Sequence, residues 1–247
     1  MPLPHIHDLI SETWNDYKKH WNPSLPISAW FLAGPAIFLI LTLIAQFFPS
    51  FYSAAIVIGS AVNFVFLLWT TVRLSVWLLA KDQGKEPPKN EKQFAGAVLL
   101  SFFWIAILDS LATLGGFILF VLPGIWLLIL FKFWPYAFLE DGRGGIQALA
   151  ASATLVKGRW WQTFWRIIIP EFLFFVLFTA VMAVLASFVG VVAGGAKLDL
   201  LLNETTTLNP LIYGIRAALE GIGQLIFVPL IILLEVKIFH YLKSTRS

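Results

Sequence analysis

Six stretches of this chain are apolar over the length that a bilayer-spanning helix needs, and nothing else in the sequence constrains the fold as much. They run over residues 27–48, 52–80, 94–114, 117–139, 167–194 and 210–242. A hydrocarbon core of about 30 Å takes roughly 20 helical residues to cross. With no water to bond the backbone, a span of this length must satisfy its own N–H and C=O groups, which makes it a helix. A membrane barrel would show strands of about ten residues with alternating polarity, and that alternation is missing. The fold class expected is all-α: a polytopic transmembrane bundle of six spans.

Composition excludes the competing classes. Hydrophobic residues make up 59% of the 247 and charged residues 13%, against about 45–50% and about 25% in an ordinary globular domain. So few charges cannot cover a soluble surface, which excludes a soluble enzyme, a nucleic-acid binder and a disordered chain. Cysteine is absent, so disulfides, thiolate metal sites and a cysteine nucleophile are excluded together. Residues 1–21 are too polar for a signal-peptide core, so no cleaved leader is expected and the first apolar stretch reads as a retained anchor.

The connections order the spans. Pro49–Phe51 and Gly115-Gly116 are short and uncharged and read as tight hairpins. The loop 81–93 is strongly charged and holds Pro87-Pro88, which stops a helix. With both termini inside, only Lys197 and Arg216 of the 17 Lys and Arg residues fall outside. That bias predicts N-in, C-in topology, and tryptophans near the inner boundary agree. A single membrane domain over 1–247 is expected. Its parts are a cytoplasmic amphipathic segment 1–26, spans one to four over 27–139, a cytoplasmic interfacial segment 140–166, and spans five and six with a short tail over 167–247.

Two segments outside the spans have a helical stripe. In the first, Ile6, Ile10, Trp14, Tyr17 and Trp21 recur at helical spacing, opposite Asp8, Glu12, Asp16 and Lys19, the pattern of a helix lying on the membrane surface. In the second, Ile146, Leu149, Ala150, Ala153 and Val156 form a weaker stripe that stops at Gly158.

The order of motifs from Asp109 to Arg166 is distinctive. GGFILFVLPGIWLL is followed by Glu140-Asp141, then Ala148, Leu149 and Ser152 in an AL-x-x-S pattern, then LVKGRWW and Phe164-Trp165-Arg166. This order, with SETWNDYKKHW at 11–21, resembles uncharacterised bacterial membrane proteins related to the membrane domain of glycerophosphoryl diester phosphodiesterase. The resemblance implies a six-helix bundle in a bacterial plasma membrane. It implies no catalysis, because in the full-length diesterases the chemistry belongs to a separate soluble barrel that this chain has no room for.

No arrangement of residues points to a reaction. His5, His7, His20 and His240 lie in tails or at span ends, and His5-x-His7-Asp8 lacks a further ligand. No H-E-x-x-H, P-loop or nucleophile elbow is present. No enzyme activity, cofactor or metal is expected. Asn203-Glu204-Thr205 matches a glycosylation sequon, which carries no meaning in a bacterial protein.

Charges within the spans are the informative residues, since they are costly in hydrocarbon and face the bundle interior in pairs. Counted at about 1.5 Å per residue, Asp109 and Arg216 each lie about 9 Å below the outer edge, and Glu220 follows Arg216 on the same helix face. An outer cluster of Asp109, Arg216 and Glu220 is expected. Arg73, Lys132 and Glu235 fall about 12 Å and Glu171 about 8 Å from the inner edge, predicting a second layer. At the inner surface, Lys157, Arg159 and Arg166 alternate with Trp160, Trp161 and Trp165, a combination suited to anionic lipid headgroups. The leading functional expectation is a non-enzymatic accessory protein that organises membrane lipids, anionic ones in particular, or a membrane protein partner. The alternative is a small transporter or channel subunit using the buried charges.

Overall fold

A computed structural model describes residues 4–192 and 210–245 of the chain. The expectations for Lys197 and for the sequon at 203–205 lie outside them. Every regular element described is a helix: α1 Ile6–Ser28, α2 Ala33–Phe47, α3 Tyr52–Asp82, α4 Glu91–Leu119, α5 Val121–Phe131, α6 Trp134–Asp141, α7 Ile146–Val156, α8 Trp160–Val192 and α9 Pro210–Ser244. Short 3-10 turns cover Ala29–Leu32 and Pro49–Phe51. Six helical segments are long and apolar enough to cross a membrane. The protein is therefore an all-helical, multi-pass membrane protein.

Two connections match their sequence signals. Pro49–Phe51 closes the hairpin between α2 and α3, and Pro87-Pro88 separates α3 from α4. The third does not. Gly115 and Gly116 are helical, and α4 runs on to Leu119. The reversal falls at Phe120, whose extended backbone (φ −166°, ψ 158°) ends α4 and starts α5. Gly116 and Gly124 instead let the two arms of the hairpin touch. A Cβ on Gly116 would sit 3.0 Å from the Gly124 Cα, and one on Gly124 would run into the Phe117 ring. Pro123 lies in the first turn of α5, where its missing N–H costs nothing.

The segment expected as interfacial over 140–166 takes in parts of three helices. Helix α6 runs to Asp141, and α8 starts at Trp160, so Trp160 to Arg166 form its first two turns. Gly142 (φ 66°) caps α6, and Gly158 (φ 84°) makes the turn after α7, both conformations that favour glycine. In α7 the buried face is Ala148, Leu149, Ala151, Ser152 and Val156, whereas Ile146 is 74% exposed. Leu149 and Val156 of the expected stripe are buried and Ile146 is not, and the small Ala148, Ala151 and Ser152 beside them let α7 come close to α5 and α6. In α1, Leu9, Thr13 and Ser24 are buried while Trp14 is exposed. Along the stripe Trp14, Tyr17, Trp21, Trp14 stacks on Tyr17 and Tyr17 meets Trp21 at a tilt.

The contacts gather into two compact units. The first holds residues 4–24, 71–172 and 230–245, and the second holds 25–70, 173–192 and 210–229. In the second unit, glycines set the helix approaches. Gly34 of α2 meets α3, Gly221 of α9 meets Pro35, and Gly223 meets Phe178. Trp30 stacks on Phe66 and meets Trp69 edge-on. A Cβ on Gly34 would lie 2.8 Å from the Asn63 Cα, a backbone atom that cannot rotate away. Gly34→Ala is expected to cost about 1–3 kcal/mol by overpacking. Gly96→Ala, where a Cβ meets nothing, is expected to be neutral or slightly stabilising, since alanine is the better helix former. Thermal unfolding of the two variants in lipid discs checks this, and equal midpoints would refute the close approach.

A charged cleft at a broken helix

Pro135 creates the site. A proline ring clashes with the carbonyl four residues earlier, here Phe131, and supplies no N–H. The helix accordingly ends at Phe131 and restarts at Trp134, with Lys132 and Phe133 as the joint. Phe133 leaves helical geometry (φ −99°, ψ 7°). The joint is held from α7. Ser152 Oγ accepts from the Phe133 N–H at 3.0 Å and donates to the Leu130 carbonyl at 2.8 Å. Both backbone groups would serve the ladder of an unbroken helix. Ser152 is completely buried.

Lys132 projects from this joint between two acids. Its Nζ is 2.9 Å from Glu235 Oε1 of α9 and 3.0 Å from Glu171 Oε1 of α8. Glu235 receives a second donor, the Tyr136 hydroxyl, on Oε2 at 2.6 Å. Glu171 Oε1 has Lys132 as its ion-pair partner. A fourth ionisable group is nearby: Asp109 of α4 accepts from Trp134 Nε1 at 3.1 Å. Asp109, Lys132, Glu171 and Glu235 all line one cleft of about 720 Å³, together with the hydroxyls of Ser110 and Thr113. It lies wholly within the first unit. One ammonium thus faces three carboxylates in a largely apolar wall.

The expected groupings are only partly reproduced. Lys132, Glu171 and Glu235 meet as the residue depths implied. Arg73, assigned to the same layer, pairs with Glu91 at the start of α4 at 3.2 Å and is itself 2% exposed. Asp109, assigned to an outer cluster, lies in the first unit and lines the Lys132 cleft, while Arg216 and Glu220 lie in the second unit and pair with each other at 3.1 Å. The cause is the hairpin. With the reversal at Phe120, Asp109 is eleven residues before the turn and Lys132 twelve after it, so at equal rise they come level.

The residues expected to hold lipid headgroups are largely engaged within the protein. Arg159 donates to the Thr245 hydroxyl and carbonyl. Arg166 donates from Nε to the Pro4 carbonyl at 2.8 Å and from Nη1 to the Gln162 carbonyl. Trp160 Nε1 donates to the Trp126 carbonyl. Lys157, Trp161 and Trp165 remain exposed, Trp161 at 66% and Trp165 at 50%.

A second polar assembly was not anticipated. At the end of α9, Lys237 binds Asp16 of α1 at 2.6 Å and Asp82 of α3 at 3.5 Å. His240 sits between Asp82 and Glu140 of α6. Lys243 reaches Glu140 and Asp141, and the Tyr241 hydroxyl donates to Glu12. Four helices are tied together at this end of the first unit. The signal was present in the spacing of Lys237, His240, Tyr241 and Ser244, one polar face at i, i+3, i+4 and i+7. It was hidden because the apolar residues between them carry the helix as a span.

The fold and the cleft define a class: a multi-pass helical membrane protein with a mixed-charge pocket beside a discontinuous helix. No family model, curated protein or solved structure matches the chain, and nothing links it to the diesterase membrane domain that its motifs resemble.

Proposed function

We propose that this protein is a small transporter or channel subunit, without enzymatic activity, that passes a small charged species through the cleft around Lys132. The observation that carries the reading is a cleft lined by Lys132 and three carboxylates at a helix break. Discontinuous helices in membranes supply free backbone ends and polar groups where a continuous helix has none, and transporters place substrate and ion sites there. Ionisable residues from different spans that meet around a cavity mark such pathways. The surroundings proposed for it are a bacterial plasma membrane with both termini cytoplasmic. That orientation rests on the Lys and Arg bias, and the bacterial setting on the motif resemblance to the diesterase membrane domain.

A lipid-organising role is the second reading, favoured by the exposed rings of Trp161 and Trp165 beside Lys157. It is the weaker one because Arg159 and Arg166 already spend their donors on Thr245 and Pro4.

Purified protein in vesicles tests the first reading. Proton, Na⁺ and K⁺ movement would be followed under an imposed potential, with Glu171→Gln as the comparison. Glu171→Gln keeps the Lys132–Glu235 pair and so is expected to fold. Flux several-fold above protein-free vesicles, reduced toward that background by Glu171→Gln, is the expected result. Wild-type vesicles as tight as empty ones would overturn it.

A further inference from the structure

We propose that the species handled by the cleft is the proton, and that Glu171 is the group that takes it up and releases it. This deepens the transport reading above and rests on it for its biological meaning. The argument begins with charge. Among the described residues Lys132 is the only cation lining the cleft, and Asp109, Glu171 and Glu235 are its anions. An uncompensated charge in such surroundings is costly, so a bound proton that removes one of the two excess negative charges is favoured.

A metal ion does not fit that role. The position between Glu171 and Glu235, where a cation would sit, is already filled by Lys132 Nζ at 3.0 and 2.9 Å. Among the described residues no group of three or more His, Asp or Glu side chains is arranged to hold a metal. A proton needs no such room.

The three acids are not equivalent. Glu235 has a partner on each oxygen, the Lys132 ammonium as an ion pair on one and the Tyr136 hydroxyl as a hydrogen-bond donor on the other. Asp109 has the Trp134 indole N–H. Glu171 has the poorest set: it shares Lys132 with Glu235 and has no counterpart to the Tyr136 hydroxyl that Glu235 receives. It also lines the cleft, which gives a route to a proton donor. The charged and titratable groups around Glu171 are Asp109 from α4, Lys132 from the joint, Tyr136 from α6 and Glu235 from α9; α7 contributes none. When Glu171 is neutral, Lys132 and Glu235 form a balanced pair. When it is ionised, Lys132 is shared between two carboxylates. The cycle is therefore a proton bound to and lost from a Glu171 oxygen, with Lys132 moving between one partner and two.

Infrared difference spectra of the full chain in lipid discs, titrated in pH, read this step without any flux measurement. A carboxylic C=O stretch that appears on acidification, vanishes in Glu171→Gln and persists in Asp109→Asn is expected. In Glu235→Gln, Lys132 is left to Glu171 alone, so the band should weaken at a pH where the wild type shows it fully. Replacing Na⁺ by K⁺ or by a large organic cation should leave the band unchanged. The proposal is overturned if no such band exists, if Glu171→Gln keeps it, if Asp109→Asn removes it, or if the band follows the salt cation. Flux of Na⁺ or K⁺ without a Glu171 band would leave the transport reading standing and remove this one. A Glu171 band in vesicles that carry no flux would do the reverse.

Discussion

Lys132→Met is expected to destabilise the protein by about 3–5 kcal/mol, the cost of leaving buried charge without its partner. Lys132 is the only group that meets Glu171 and Glu235 together, at 3.0 and 2.9 Å. Without it, two carboxylates from different helices face each other across an apolar cleft, with Tyr136 alone to donate to one of them. The loss should be largely reversed by adding Glu171→Gln and Glu235→Gln, because replacing a whole buried ionic group by neutral residues is often neutral. Lys132→Arg should be intermediate: the planar guanidinium forks toward one carboxylate and does not reproduce a compact ammonium between two. Unfolding of the four proteins in the same lipid discs measures all of this. A single Lys132→Met variant as stable as wild type would show that the ion pairs do not hold α8 and α9 to the joint.

Residue spacing carried the class of fold and part of the site. Six apolar stretches implied six spanning helices, because length and hydropathy are what a bilayer selects. Lys132, Glu171 and Glu235 were brought together by depth alone, since charges in spans must find one another. The failures have local causes. Gly115-Gly116 looked like a turn, but in a membrane glycine more often serves close helix contact, and the turn fell at Phe120. That shift of a few residues moved Asp109 from an expected partnership with Arg216 to the Lys132 cleft. Arg73 was given the wrong partners because Glu91 was read as loop, whereas it opens α4 and pairs with Arg73. Pro135 was the missed signal, although F-W-P after a lysine is a readable helix break.

The two polar assemblies of the first unit share α9. Glu235 serves the cleft, and Lys237, His240 and Lys243 serve the four-helix tie from half a turn to about two turns further along. Any movement of α9 that loosens Lys132 must also strain the bonds to Asp16, Asp82 and Glu140. The joint between α5 and α6 has its own charged tie, Lys132 to Glu171 and Glu235. Its backbone is held by a single hydroxyl, which makes Ser152 the residue on which the geometry of the cleft depends.

Ser152→Ala is accordingly expected to cost about 2–4 kcal/mol. It orphans two backbone groups, and each unsatisfied buried group costs roughly 1–3 kcal/mol, with partial relaxation reducing the sum. The change removes one oxygen from a fully buried position, so lost packing is a small part of the effect. The specific readout is hydrogen exchange at the Phe133 amide, which donates to Ser152 Oγ. Wild type should protect it, and Ser152→Ala should expose it while the amides of α9 keep their protection. The cleft should respond as well. Trp134 and Lys132 flank Phe133, so the indole bond to Asp109 and the ammonium position both depend on the joint. If Ser152→Ala leaves both stability and the Phe133 exchange rate unchanged, then Pro135 alone shapes the break and α7 is only packed against it. If exchange rises and the Lys132 cleft loses its function without global unfolding, the serine on α7 is what holds a broken helix in working form.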